Sequence, residues 1–203
     1  MSALKLTKNE LRIQQMRLSQ LRRYLPTLQL KKALLQYEVN NAGLEMTMLT
    51  EELARFRAKA EPFSPFLLEK VSVNLKSFVD VQHVRKRYEN IAGIEIPIFE
   101  SIVFKEPDYF LFDSPVWTEA ASEILRTMVV AREKINIAQE KMRALKKELR
   151  EVSIRVNLFE KILIPRSIEN IKKIRIFLGD QQLTAVAQAK VAKSKVLSRK
   201  EKK

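Results

Sequence analysis

Apolar residues recur every seven positions in two long tracts, one near each end of this 203-residue chain, and no other feature restricts its fold as much. In the first tract Leu11, Leu18, Leu25, Lys32, Val39, Met46 and Leu53 occupy one seam position. Gln14, Leu21, Leu28, Leu35, Ala42, Leu49 and Phe56 occupy its companion. The second tract sets Ala121, Met128, Ile135, Met142, Leu149, Val156 and Leu163 beside Ile124, Ala131, Ala138, Leu145, Val152, Phe159 and Arg166. A mean spacing of about 3.5 residues is the coiled-coil period and predicts a left-handed supercoil. Two matched tracts in one chain predict that they pack on each other as an antiparallel rod. The expected register sets Phe56 near Ala121, Leu18 near Phe159 and Leu4 opposite about Lys173, leaving later residues without a partner helix.

The punctuation of the sequence divides the chain into segments. Thr7 followed three residues later by Glu10 reads as a capping box, so the N-terminal segment, residues 1–60, is expected to be helical from near Thr7 to about Ala60, ended by Glu61-Pro62 and Ser64-Pro65. Pro26 lies within that tract and should bend it without ending it. Residues 61–116 have another texture. Val71 to Val81 alternates partly at period two, and Ile94-Glu-Ile-Pro-Ile-Phe is short and β-branched. Ala92-Gly93 marks a turn, and Pro97 confines its strand to an edge. Pro107, Pro115 and the aromatics Tyr109, Phe110, Phe112 and Trp117 close this middle head. A second helix is expected over 117–179, stopped at Gly179-Asp180, followed by a basic, partly disordered tail over 180–203. The expected fold is therefore mainly α, a single structural unit. It is a long antiparallel two-helix coiled coil from the N- and C-terminal segments, with a small middle head containing a short β-hairpin.

Composition narrows the function. Three glycines fit long helices with few turns, and a hydrophobic fraction of 46% argues against wholesale disorder. No cysteine is present, so there is no disulfide framework and no thiolate chemistry. The opening residues have no apolar core of a secretory signal, and no run approaches the roughly 18 apolar residues of a membrane span. The net charge of +14 points to an anionic partner: nucleic acid, a lipid surface or an acidic protein cavity. The stretch from Ala187 to Lys203 carries seven basic residues against Glu201 alone, which accounts for +6 of that charge.

Catalytic and metal-binding patterns are missing from the sequence. His83 is the sole histidine and lies in a strand-like stretch. Gly43, Gly93 and Gly179 form no phosphate-binding loop. Acidic pairs such as Glu51-Glu52 read as helix-surface partners of nearby Lys and Arg. The expectation is a protein that is no enzyme by itself and holds no cofactor or metal.

The run Arg155-Val-Asn-Leu-Phe-Glu-Lys-Ile-Leu-Ile-Pro165 closely resembles the Arg-Val-Asn-x-Leu-Glu-x-x-x-Ile-Pro stretch of the D subunit of V-type and archaeal-type rotary ATPases, with Phe159 replacing a leucine. Asn90-Ile-Ala-Gly-Ile-Glu-Ile-Pro97 is similar to that family's central hairpin segment. Leu6-Thr7-Lys8 resembles its Pro-Thr-Lys opening, with leucine for proline. Tyr24 to Leu28 departs from the family pattern. The resemblance covers almost the whole chain in the right order.

What it implies is a central stalk, or rotor shaft. It would turn within a hexamer of A and B subunits, which hold the nucleotide sites, and bind the small F subunit and a membrane-side rotor subunit at its other end. It would couple ATP synthesis or hydrolysis to H⁺ or Na⁺ transport. The shaft itself would bind no nucleotide, insert in no membrane and sit on the cytoplasmic side, peripheral to the bilayer. The implied hexamer-cavity contacts are Lys8, Arg12, Arg166, Lys172, Lys173, Arg175, Phe177 and Leu178. Candidate rotor-partner contacts are Ile91, Gly93, Ile94, Ile96, Pro97, Tyr109 and Trp117.

Two other readings compete. A basic coiled-coil scaffold or nucleic-acid-binding protein would explain the pI, but the basic residues form no single stripe and no aromatic stacking platform lies among them. A membrane-surface scaffold would need a lipid-facing helix, whereas these helices carry a seam meant for another helix.

Overall fold

The structure, a computed structural model, describes residues 4–65, 75–106 and 115–200. Helix α1 spans Lys8–Ala60 and is followed by a 3₁₀ turn, Glu61–Phe63. A single helical turn, α2, covers Leu75–Phe78; strands β1 (Val81–Ile91) and β2 (Ile94–Phe104) form an antiparallel hairpin. Helix α3 (Trp117–Leu158) passes through a π turn, Phe159–Leu163, into α4 (Ile164–Lys200). The mainly α architecture with a middle hairpin is as the heptads and the Ala-Gly turn predict. Two compact units are present: residues 31–151, and residues 1–30 with 152–203.

Helix α1 starts where its cap requires. Thr7 Oγ1 accepts a hydrogen bond from the Glu10 backbone N–H at 3.2 Å, half of a capping box. The Glu10 carboxylate does not return the bond but accepts one from Gln14 Nε2 at 2.9 Å. The helix runs unbroken past Pro26.

Burial follows the heptads. On α1 the buried side chains Gln14, Leu21, Leu35 and Ala42 all belong to one heptad position. On the partner tract Ala131, Ala138, Leu145 and Val152 are buried at successive sevens. Within the unit of residues 31–151 the helices run antiparallel. Lys31 Nζ donates to Glu148 Oε1 at 2.8 Å and Lys141 Nζ to Glu45 Oε2 at 2.8 Å.

Beyond Val156, which is still buried in the expected phase, the seam departs from it. Arg166 is exposed, while Ser167, Ile171 and Ile174 are buried. The cause is the π turn, in which the Ile164 N–H donates to Phe159 O, five residues back. Proline at 165 has no N–H for the Lys161 carbonyl, so the chain widens by one residue just before it. That extra residue rotates the following helix and brings Ser167, not Arg166, onto the buried face. The heptad then resumes through Ile171, Ile174 and half-buried Leu178.

Register is the second departure. Leu18 lines a groove with Ile168 and Ile171, more than two helical turns beyond the Phe159 expected opposite it. Repeating seams are nearly degenerate under seven-residue slips, so apolar spacing alone cannot choose among them. Two further differences concern segment ends. Helix α4 does not stop at Gly179-Asp180 but continues to Lys200, so the segment expected as a partly disordered tail is helical there. One glycine costs about 1 kcal/mol, too little to stop a helix followed by Gln-, Ala- and Lys-rich sequence. The period-two stretch before Val81 becomes strand only from Val81, because Leu75–Phe78 forms the α2 turn; residues 71–74 lie outside the described residues.

The hairpin turn is built by Ala92 and Gly93, both at positive φ (53° and 82°), the two-residue geometry that suits the right-handed strand twist. Asn90 Oδ1 accepts a hydrogen bond from the Gly93 N–H at 2.9 Å. Proline is tolerated at Pro97, opposite Tyr88, because both strands of a two-stranded ribbon are edges.

Seam burial sets the expected effect of truncation. Leu145→Ala and Ile174→Ala, at fully buried positions, should each cost about 2–4 kcal/mol in urea unfolding. Leu44→Ala and Ile176→Ala, at exposed neighbours, should each cost less than about 0.5 kcal/mol. In the hairpin, Ala92→Asn should add about 0.5 kcal/mol by relieving a left-handed alanine, and Gly93→Ala should remove about 1 kcal/mol. A loss on Ala92→Asn together with no loss on Gly93→Ala would mean the turn geometry is otherwise.

Candidate functional site

Among the described residues no group of three or more His, Cys, Asp or Glu could hold a metal ion, and no helix is long and apolar enough to cross a membrane. His83 is exposed on β1. What the chain presents is surface, in two regions.

The first lies in the unit of residues 1–30 and 152–203. Lys8 and Arg12 project from the first turns of α1. Arg166, Lys172, Lys173, Arg175 and Phe177 are exposed on α4, and Leu178 is half-buried. An open groove of about 570 Å³ brings part of this set together. Leu18, Ile168, Ile171 and Ile176 give it apolar character; Lys172, Arg175 and Arg22 add three positive charges, and Gln15 and Ser19 complete it. Among the described residues no carboxylate lines it. Arg22 is a member that sequence reasoning missed, although it follows buried Leu21 directly and so flanks the seam.

Lys173 stands apart. Its ammonium bonds to Glu169 at 2.6 Å, one turn back on the same helix. That hydrogen bond, helped by the charge, holds the Glu169 carboxyl below its usual range. Arg22, Lys172 and Arg175 carry the groove's positive charge, and Lys173, held by Glu169, does not line it. From Gln181 to Ser198 every side chain is exposed, with Lys190, Lys193 and Lys195 on that stretch.

The second region is the hairpin, in the unit of residues 31–151. Ile96 and Pro97 are buried, Ile91, Ile94 and Trp117 half-buried, and Gly93 exposed; Tyr109 lies outside the described residues. Pro97, Ile98 and Phe99 form a small cleft with Glu45 and Leu49 of α1 and Lys134, Ile137, Ala138 and Lys141 of α3. Of the expected contacts, then, Ile96 and Pro97 belong to the packing that seats the ribbon, and the turn at Gly93 is the accessible part. Sequence reasoning also missed outward-facing Arg85, Arg87 and Tyr88, since alternation does not say which strand face is covered.

Charged contacts fasten the ribbon to α3. Lys86 Nζ donates to Glu140 Oε2 at 2.7 Å. The Lys134 ammonium lies 5.7 Å from the Phe99 ring centre and the Arg126 guanidinium 5.3 Å from that of Phe104. Arg126 Nε also donates to Phe78 O at 2.8 Å. The hydrogen bond to Glu140 holds the Lys86 ammonium above the ordinary lysine range; partial burial opposes it, and the Glu140 charge adds to it.

Heptad-patterned helices, with a hairpin on one unit and a basic groove on the other, define a mainly α protein of the coiled-coil class. The model of the ATP synthase D-subunit family matches residues 10–194, and the chain belongs to that family. It is 46% identical to the V-type ATP synthase D subunit of Chlamydia abortus, over 98% of this chain and 97% of that protein. The same-named proteins of Chlamydia caviae and Chlamydia felis are 45% and 44% identical, each over 98% of this chain and 97% of theirs.

The Lys86–Glu140 pair gives a pH-dependent expectation. Because the folded-state value of Lys86 is raised, its stabilisation is complete below the lysine range and disappears as the pH climbs through the raised value. Glu140→Gln should lower stability by about 0.5 kcal/mol at about pH 8, a figure reduced for solvent screening. The gap to the parent protein should close as the pH climbs through the raised Lys86 value. A gap that stays constant would show that the pair does not titrate in this way.

Proposed function

We propose that this chain is the central shaft of a V-type ATP synthase, carrying torque between a nucleotide-hydrolysing A/B hexamer and a membrane-side rotor that moves H⁺ or Na⁺. The observation that carries this reading is the near full-length likeness to the D subunits of V-type ATP synthases, joined to an apolar seam that recurs through both helical tracts. A shaft must resist bending and twisting, and two helices locked through such a seam are stiffer than either alone. It must also turn inside its bearing without locking. Solvated cations such as Lys172 and Arg175 slide past a facing wall more readily than a large apolar patch would.

On this reading the basic groove and the exposed helix beyond it enter the hexamer, and the hairpin end meets the small F subunit and the membrane-side rotor. ATP chemistry takes place on the A and B subunits, and the shaft contributes no catalytic group. It lies peripheral to the membrane, on the cytoplasmic side.

Mixing the purified chain with a preformed A/B hexamer at moderate and high salt tests this. The expected outcome is one copy per hexamer at both salts, with altered steady-state ATPase. Several loosely held copies, lost at high salt and without effect on turnover, would mean charge attraction only and favour the scaffold or nucleic-acid reading. Reversing Arg22, Lys172 and Arg175 together to Glu should weaken hexamer binding on the order of tenfold and slow ATP-driven rotation. An unchanged rate would remove the groove from the bearing.

A further inference from the structure

The apolar seam thins at one level of the unit formed by residues 1–30 and 152–203. No residue from 157 to 166 is buried, and on α1 none is buried after Leu21 within that unit. Leu25, Leu28, Phe159 and Leu163 hold the seam there, each half-buried. Past this level the seam closes again over Ser167, Ile171 and Ile174.

Backbone hydrogen bonding is interrupted at the same level on both helices. Pro26 offers no N–H to the Arg22 carbonyl. Thr27 Oγ1 donates to the Tyr24 carbonyl at 2.7 Å, a side-chain bond of the kind that bends helices. On the partner, the π turn replaces the regular ladder over Phe159–Leu163 and contains no buried residue. Pro165, just beyond it, offers no N–H to the Lys161 carbonyl. The two interruptions face each other. Leu18 shares the groove with Ile168 and Ile171, and Pro26 lies eight residues further along α1. Eight residues back along an antiparallel partner is about 160–163, the π turn itself.

Sharp bends in long helices arise at prolines, at π turns and where a side chain enters the hydrogen-bond ladder. All three causes meet here, where packing is thinnest. We infer that this level is a flexible joint, about which the groove-bearing part of the helix pair bends and twists. A single interruption would be splinted by an intact neighbouring helix. Facing interruptions leave neither helix to splint the other, and no buried side chain locks them together. The joint is a property of the chain alone. Its role in turning, which is to keep the groove seated while the helices behind it rotate, rests on the shaft reading.

The chain has no native cysteine, so spin labels can be placed at chosen sites. One pair, Ile154→Cys with Gln181→Cys, spans the π turn. The control pair, Glu123→Cys with Arg150→Cys, spans the same length of uninterrupted α3, and all four sites are exposed. The free full-length chain should give a distance distribution at least about twice as broad across the joint as across the control. A stiffened variant combines Pro26→Ala, Thr27→Ala and Pro165→Ala with deletion of exposed Ile162, which removes the extra residue and keeps Ile171 and Ile174 in phase. Its distribution should narrow to the control width, and amide exchange over residues 22–30 and 157–166 should slow by about tenfold. If the deletion prevents folding, Pro26→Ala with Thr27→Ala should still slow exchange over residues 22–30. Equal widths in the parent chain would overturn the joint. A folded variant that stays as broad and exchanges as fast would overturn its assignment to these interruptions. In the A/B complex the variant should bind as the parent does and drive rotation more slowly; an unchanged rate would remove the role in turning. Failure of the parent chain to bind the hexamer would instead indict the shaft reading and leave the free-chain widths standing, so the two failures are separable.

Discussion

Every other feature of this protein hangs on one column of side chains kept in phase along each helix. A straight α-helix has 3.6 residues per turn, so an apolar column repeating every seven residues drifts unless the helices coil around each other. The chain holds phase through Ala131, Ala138, Leu145 and Val152, then inserts one extra residue at the π turn and resumes at Ser167 and Ile174. The insertion is forced locally by Pro165, yet its consequence is felt over the following turns. It decides which α4 residues face inward and which, such as Lys172 and Arg175, are left to form the groove. A proline that would merely have kinked a helix elsewhere becomes here a phase adjuster for the groove.

The legible and illegible parts of the fold divide along the same line. Heptads in Gln14–Ala42 and Ala121–Val152 are a periodic signal many turns long, so helix type and buried positions can be read off directly. Ala92-Gly93 is legible as a turn because only left-handed backbone closes a two-residue loop there. Phase after Phe159 is not, since a regular continuation through Leu163 and Arg166 fits the apolar pattern nearly as well, and only the missing N–H of Pro165 argues for another. Leu75–Phe78 escapes a sequence reading because four residues cannot separate a helical turn from the end of a strand. Gly179 looks like a stop, but its cost is too small to act as one in sequence so rich in good helix formers.

Surfaces are harder to read than cores for a reason of principle. Basic residues can be marked on the helices, but their grouping depends on the rotation and register of two partners. Arg22 joins Lys172 and Arg175 only because Leu18 sits beside Ile168 and Ile171. Lys173 is drawn aside by Glu169, one turn back on the same helix, whereas Lys172 has Ile168 at that spacing. On the hairpin, Pro97 and Ile96 look in sequence like contacts to be offered outward and are in fact the anchor of the ribbon.

Register itself needs a physical determinant, and within the unit of residues 31–151 the polar contacts supply it. A seven-residue slip would replace one apolar contact by another of similar size and so cost little at the seam. It would also carry each helix about 10 Å along its partner, separating Lys31 from Glu148 and Lys141 from Glu45, and taking Met142 away from its close approach to Gly43. Half-exposed ion pairs of this kind add less than about 1 kcal/mol each to stability. Their larger effect is to make the alternatives worse, because each slipped state leaves several part-buried charges unmatched at once. Apolar packing thus provides the stiffness of the pair and the charges provide its alignment. A helix pair held in a single register requires both.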